Sequence, residues 1–239
     1  MITHVFFDIG DVLFDENVPH YWLFHTILLT LRRHGKPVEY DTWNQSRIEL
    51  AAAGPDPEAA IKGSLAAYCV SDDETDRLWK EVRQQYEEMR KPRPYGLLLD
   101  GMTPVLRDLK QNFKLGIVAN QHPEIMDGLR DYGVDKLFET IVISEIVNLF
   151  KPDPAIFVCG LAAAGIDASQ VIFVGDRPDN DILPAKSLGM GTVRLRRGVQ
   201  YSHFNPSDPA MIADRVVESV SELAAAVRAV AVEHGSETL

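Results

Sequence analysis

The chain has 239 residues, 46% of them hydrophobic and 25% charged, which suits one large domain or a domain with an insertion and allows a sizeable core. Its formal charge of −11 argues against a nucleic-acid or anionic-membrane surface, which needs a basic patch, so an anionic substrate must be attracted locally by a cation or a metal. No apolar run reaches spanning length and the N-terminus enters a strand pattern without signal-peptide features, so the chain reads as cytoplasmic. Cys69 and Cys159 are far apart and lack metal spacing; they read as small core residues of a reducing compartment.

Residues 3–8 are expected to form a buried strand: Val5-Phe6-Phe7 runs straight into Asp8, and Gly10 breaks the strand. Trp22, Leu23, Ile27, Leu28 and Leu31 share one face of a helix over about Tyr21–Arg33, closed by Gly35 and Pro37. Further helices are predicted over Tyr40–Ala53, ended by Gly54-Pro55, and over about Pro57–Tyr68. A fourth starts at the N-cap Ser71, carries Asp72, Asp73 and Glu74 where the helix dipole favours acids, and ends near Arg90. Residues 16–91 thus read as almost entirely helical, and Lys91-Pro92-Arg93-Pro94-Tyr95-Gly96 as a turn-rich connector.

The rhythm then changes. Predicted helices at Thr103–Gln111, Pro123–Tyr132, Pro154–Ala164 and Asn180–Leu188 alternate with strands at Lys114–Ala119, Thr140–Ile143, Val171–Val174 and Thr192–Leu195. A last helix is expected over Val217–Glu233. This alternation implies an α/β architecture: a Rossmann-like, doubly wound parallel sheet formed by residues 1–15 and 92–239, with 16–91 as an inserted α-helical domain.

Open parallel sheets carry their chemistry at the carboxyl ends of the strands. Four such places stand out: Asp8; Ala119-Asn120; Lys151 in Lys-Pro-Asp-Pro; and Gly175-Asp176, with Asp181 five residues later. Each has an ordinary reading. Asp8 and Asp176 fit turns, Lys151 a solvated surface, and Asp179 and Asp181 a helix N-terminus. Together, the carboxylates of Asp8, Asp176 and Asp181 with a backbone carbonyl make a hard-oxygen site suited to magnesium. A lysine beside them holds anions. Phosphoryl transfer needs this combination of an in-line nucleophile, a divalent cation and fixed positive charge.

These four motifs, in this order and spacing, resemble those of the haloacid dehalogenase superfamily of aspartate-nucleophile hydrolases. The stretch from Asp176 through Asn180-Asp181-Ile182 to Gly189-Met190 is a specific part of that likeness, and the helical block resembles the cap of the subfamily with a cap after the first strand. The resemblance implies that Asp8 is the nucleophile and a magnesium ligand, and that Lys151 stabilises it and the transferring group. It implies that Asp176 and Asp181 bind the metal, directly or through water, and that Asn120 contacts phosphate. Gly10 stands where related phosphatases carry a second aspartate that acts as general acid and base; only its backbone carbonyl remains for the metal. Ala119 likewise replaces a hydroxyl residue.

The implied function is a magnesium-dependent phosphatase of a small phosphorylated metabolite, such as a sugar phosphate. The cap would close over the substrate, and His20, Tyr21, Trp22 and Tyr95 would tune specificity, although Trp22 also fits helix packing. Asp11, Asp15 and Glu16 are the nearby acids that would have to stand in for the missing one. The alternatives are a non-catalytic descendant that binds a phosphorylated ligand or a protein and, more remotely, a 2-haloacid dehalogenase. The chain is expected to be a monomer or homodimer without nucleic-acid or membrane partners.

Overall fold

The computed structural model describes residues 1–53, 57–91, 95–198 and 206–236. In chain order, strand β1 (His4–Phe7) and the two-residue β2 (Phe14–Asp15) lead into four helices: α1 (Asn17–Arg33), α2 (Tyr40–Ala53), α3 (Pro57–Ala66) and α4 (Asp72–Arg90). Strand β3 (Leu97–Leu98) and helix α5 (Met102–Leu109) follow, then β4 (Lys114–Ala119), α6 (Ile125–Asp131), β5 (Phe138–Ile143), α7 (Ser144–Val147) and α8 (Ala155–Ala164). The last part is β6 (Val171–Gly175), α9 (Leu183–Ser187), β7 (Gly191–Leu195), β8 (Arg215–Val217) and α10 (Leu223–Ser236). None of the described helices is long and apolar enough to cross a membrane.

The main sheet has six strands in the order β5-β4-β1-β6-β7-β8, every pair parallel. It is a doubly wound α/β sheet with β1 at its centre. Successive side chains on a strand face opposite ways, and both faces are covered. Phe6, Val118 and Phe173 pack under α8 through Ile156, Phe157 and Leu161, with the Phe157 and Phe173 rings edge to face at 4.9 Å. On the other face Gly191 lets Val230 of α10 come close to β7; a Cβ there would lie 2.8 Å from its methyl. Burial on both faces explains why these strands read as unbroken apolar runs.

Phe6 has a made-to-measure place. A Cβ on Gly116 of β4 would fall 2.5 Å from its ring, and one on Gly160 of α8 would fall 3.3 Å from it. The two glycines therefore open the space that the ring fills.

The chain divides into two compact units. One holds Met1–Asp15 and the sheet from Leu97 onward, and the other runs from Glu16 to Gly96. In the helical unit α1 packs on α4, and α2 on α3. Its centre is Phe24 against the fully buried Trp43, with ring centroids 5.1 Å apart. The Arg47 guanidinium lies over the Phe24 ring at 4.6 Å. Ser71 caps α4 by accepting a hydrogen bond from the Glu74 N–H. Trp22 is half-buried and Tyr21 exposed.

Several expected boundaries move. The first helix starts at Asn17 rather than Tyr21, and β1 ends at Phe7, leaving Asp8 just past the strand. Val217, expected to open the last helix, instead ends the edge strand β8 (Arg215–Val217), and α10 starts at Leu223 after a Ser219–Glu222 capping box. The pairing of β2 with β3 was not anticipated. Within 180–188, the first residues form a wide π-type turn over Pro178–Ile182 before α9 begins. Both cysteines are half-buried rather than core residues. The expected breaks at Gly54-Pro55 and Pro92–Pro94 lie outside the described residues.

Candidate active site

Asp8, Asn120 and Asp176 follow the carboxyl ends of β1, β4 and β6, three neighbours in the sheet. The register places Phe7 level with Ile117 and Val174, so all three residues emerge on one edge. Lys151 arrives from the loop after α7. Its ammonium sits 2.7 Å from Asp8 Oδ1 and 2.6 Å from Asp181 Oδ1. All three side chains are nearly withdrawn from solvent.

Each partner is held in turn. The Asn120 amide donates to the Lys151 carbonyl at 2.9 Å and accepts from the Lys151 N–H at 2.8 Å. This two-way clasp fixes the lysine backbone to the end of β4. It engages both the oxygen and the nitrogen of the Asn120 side chain. Asp181 Oδ2 accepts from the N–H groups of Asp176 and Arg177 at 3.1 and 3.0 Å. The wide turn at Pro178–Ile182 swings Asp181 back over β6 for this contact; such turns recur at functional sites. Gly175 permits it, since a Cβ there would lie 2.4 Å from the Asp181 Cβ.

Ligand-capable oxygens of Asp8, Asp176 and Asp181 lie within 4.8 Å of one another. Three hard carboxylates at this spacing fit a small divalent cation that keeps some of its waters. Burial raises the Asp8 carboxyl to about 6 against the pull of Lys151. Asp176 is held well above the usual carboxylate range by burial and by the charges of Asp181, Asp8 and Asp11. Burial disfavours the Lys151 ammonium, but Asp181 and Asp8 outweigh it and its pKa stands above the ordinary value. The cluster thus has surplus negative charge in a water-poor place, which a cation would relieve.

Other residues come to this edge without having been expected. Arg194, buried in β7, donates through Nε to the Asp176 carbonyl at 2.9 Å; an arginine inside an apolar strand was its only signal. Ser144 accepts from the Gln121 N–H at 3.0 Å. His122 Nδ1 lies 2.6 Å from Glu145. Of the acids considered as stand-ins, Asp15 is paired with Arg197 at 2.9 Å. Asp11 is buried with a left-handed φ of 50°, and its carboxylate abuts Gly198, where a Cβ would meet Oδ2 at 2.3 Å. Residues His20, Tyr21 and Trp22 lie on α1 in the helical unit, and Tyr95 is in that unit too.

Residues 5–195 match the family model described as haloacid dehalogenase-like hydrolase. The chain belongs to that family. Among curated relatives of this chain, a glyceraldehyde 3-phosphate phosphatase from Methanopyrus kandleri is 35% identical over 130 residues, 54% of this chain and 55% of that one. The chain thus spans just over half of that relative's length in the match. A protein of the same name from Pyrococcus abyssi is 27% identical over 210 residues, 83% of each chain. A conserved haloacid dehalogenase-like protein of unknown function from Agrobacterium tumefaciens superposes with a TM-score of 0.67 at 22% identity, covering 97% of this chain and 100% of that one. At that identity the superposition speaks to the fold.

Proposed function

We propose that this hydrolase is a magnesium-dependent phosphatase of small phosphorylated metabolites, working through a phosphoryl group carried on Asp8. The observation that carries the reading is Lys151 bridging Asp8 and Asp181 beside Asp176: a nucleophile, a fixed cation and a hard-oxygen cluster within contact of one another. The relatives named as phosphatases of glyceraldehyde 3-phosphate support the substrate class.

In the first step an Asp8 oxygen attacks phosphorus and the bond from phosphorus to the leaving oxygen breaks. In the second, water attacks the aspartyl-phosphate and frees both phosphate and Asp8. Lys151 aims the Asp8 carboxylate and offsets charge on the phosphoryl oxygens. Asn120 holds the lysine in place and offers its backbone N–H. Asp8, Asp176 and the Gly10 carbonyl are the proposed direct holders of magnesium. Asp181, with both oxygens already accepting hydrogen bonds, supports it through water. Magnesium, when bound, supplies positive charge against the phosphoryl oxygens and the clustered carboxylates. In this reading residues 16–91 are the cap domain and residues 1–15 and 92–239 the core domain, the cap's task being to exclude water during transfer.

The test is phosphate release from a panel of sugar, acyl, aryl and alkyl phosphates, with magnesium or EDTA, for the native chain and Asp8→Asn. Release that requires both magnesium and Asp8 is expected. A folded protein that gains thermal stability from magnesium yet releases phosphate from nothing would leave the ligand-binding alternative in its place.

A further inference from the structure

We infer that Arg194 is a positioning residue of the candidate site: it locks the peptide between Asp176 and Arg177, and that peptide in turn holds Asp181 and, through it, Lys151. For what the site does, this rests on the phosphatase reading. Arg194 is buried in β7, a strand without another charged residue, and stands level with Gly175 of β6. A buried arginine is costly unless its hydrogen bonds are met. Its Nε donates to the Asp176 carbonyl at 2.9 Å.

That carbonyl is one end of a rigid plate. The other end is the Arg177 N–H, which donates to Asp181 Oδ2 at 3.0 Å. The peptide is trans, so it is planar and its carbonyl and N–H point opposite ways and turn together. Arg194 and Asp181 therefore grip the plate from opposite sides. Turning it would break both bonds, strip a buried carbonyl of its donor and swing an oxygen toward the Asp181 carboxylate. The grip continues inward. Asp181 Oδ2 also accepts from the Asp176 N–H at 3.1 Å, and Oδ1 accepts from the Lys151 ammonium at 2.6 Å. That ammonium reaches Asp8 at 2.7 Å. Polar contacts thus run unbroken from β7 to Asp8.

Arg194 acts on a cation at this site in two ways of opposite sign. Its positive charge interacts with Asp176 and Asp181 and repels a cation, so removing the charge alone tightens magnesium binding. Removing the lock slackens Asp176 and Asp181 and weakens it. Two substitutions separate these effects. The fourth side-chain atom beyond Cα is Nε in arginine, Nε2 in glutamine and Cε in methionine. Arg194→Gln therefore keeps a donor at the same reach and loses the charge. Arg194→Met keeps the reach and loses both.

The experiment is calorimetric titration of magnesium into the EDTA-stripped full chain, native and both variants, with folding verified by circular dichroism. Arg194→Met is expected to bind magnesium about tenfold or more weakly, and Arg194→Gln within about threefold of native or tighter. With nitrophenyl phosphate at saturating magnesium, kcat is expected to fall about tenfold in Arg194→Met with KM within about threefold, and to be native-like in Arg194→Gln. Equal magnesium affinities in the two variants would overturn the inference, as would tighter binding by Arg194→Met, which would leave the charge as the whole effect. Should Arg194→Met not fold, amide exchange at Arg177 decides: equal protection in native and Arg194→Gln is expected, and a loss of protection in Arg194→Gln counts against the lock. Failure of the phosphatase reading looks different: the native chain releases no phosphate, while the magnesium affinities of the two variants still differ.

Discussion

Lys151 neutralises two buried carboxylates at once, and its removal shows what it does. In Lys151→Met the methylene stem is kept, but Asp8 and Asp181 lose their shared cation. Breaking a buried charge pair in this way costs on the order of 3–5 kcal/mol, so denaturant unfolding in EDTA should show a loss of that size, with phosphate release abolished. Asp8 itself makes a prediction about pH. Its folded pKa of about 6 lies above the ordinary carboxylate value of 3.8, so the metal-free folded state binds the extra proton. The stabilisation from this group is therefore complete below about pH 4 and is lost as pH rises through 6. Magnesium competes with that proton, so the rise in Tm on adding magnesium should be small at pH 5 and large at pH 7.5. An equal rise at both would show that the ion binds away from Asp8.

Among the elements, the turn after β6 is the most exacting. Gly175→Ala places a methyl carbon 2.4 Å from the Asp181 Cβ, and Asp181 has no slack because Lys151 and two backbone N–H groups hold it. The variant should lose about 1–3 kcal/mol of stability and at least tenfold in magnesium affinity, read by titration calorimetry. The main strands were legible in the sequence because burial on both faces makes them continuous apolar runs, and the charged residues ending those runs named Asp8 and Asp176. The edge strand at Arg215–Val217 was not legible: three residues carry no period, and Val217 read as the first turn of the next helix. Likewise β2 and β3, two residues each, have no pattern of their own. In the site, residue types were legible but side-chain directions were not. The grip of the Asn120 amide on the Lys151 backbone is not written in the residue type, and Asp11 reveals its turn toward Gly198 only through a backbone angle.

For the whole molecule, the charge of −11 bears on how the proposed anionic substrate would arrive. The overall field would repel it, while Lys151 and the proposed cation would attract it at close range. Raising ionic strength screens the long-range repulsion more than the short-range attraction. kcat/KM for a phosphate ester should therefore rise, by about twofold between 10 and 150 mM salt, when measured at constant free magnesium. A fall would indicate that a local positive field governs the approach. The two compact units divide the labour of the proposed reaction: the described chemistry-bearing charges are on the sheet unit, and the aromatic candidates for specificity are on the helical one.

The Phe6 ring, seated in the hollow left by Gly116 and Gly160, has a consequence for the charged edge above it. Sliding β1 by one residue along β4 would turn the ring to the opposite face and leave the hollow empty. The ring therefore acts as an indexing pin: it allows one longitudinal setting of the central strand, and that setting decides how far Asp8 projects toward Lys151. An uncharged side chain two residues down the strand thereby calibrates the reach of the Asp8 carboxylate.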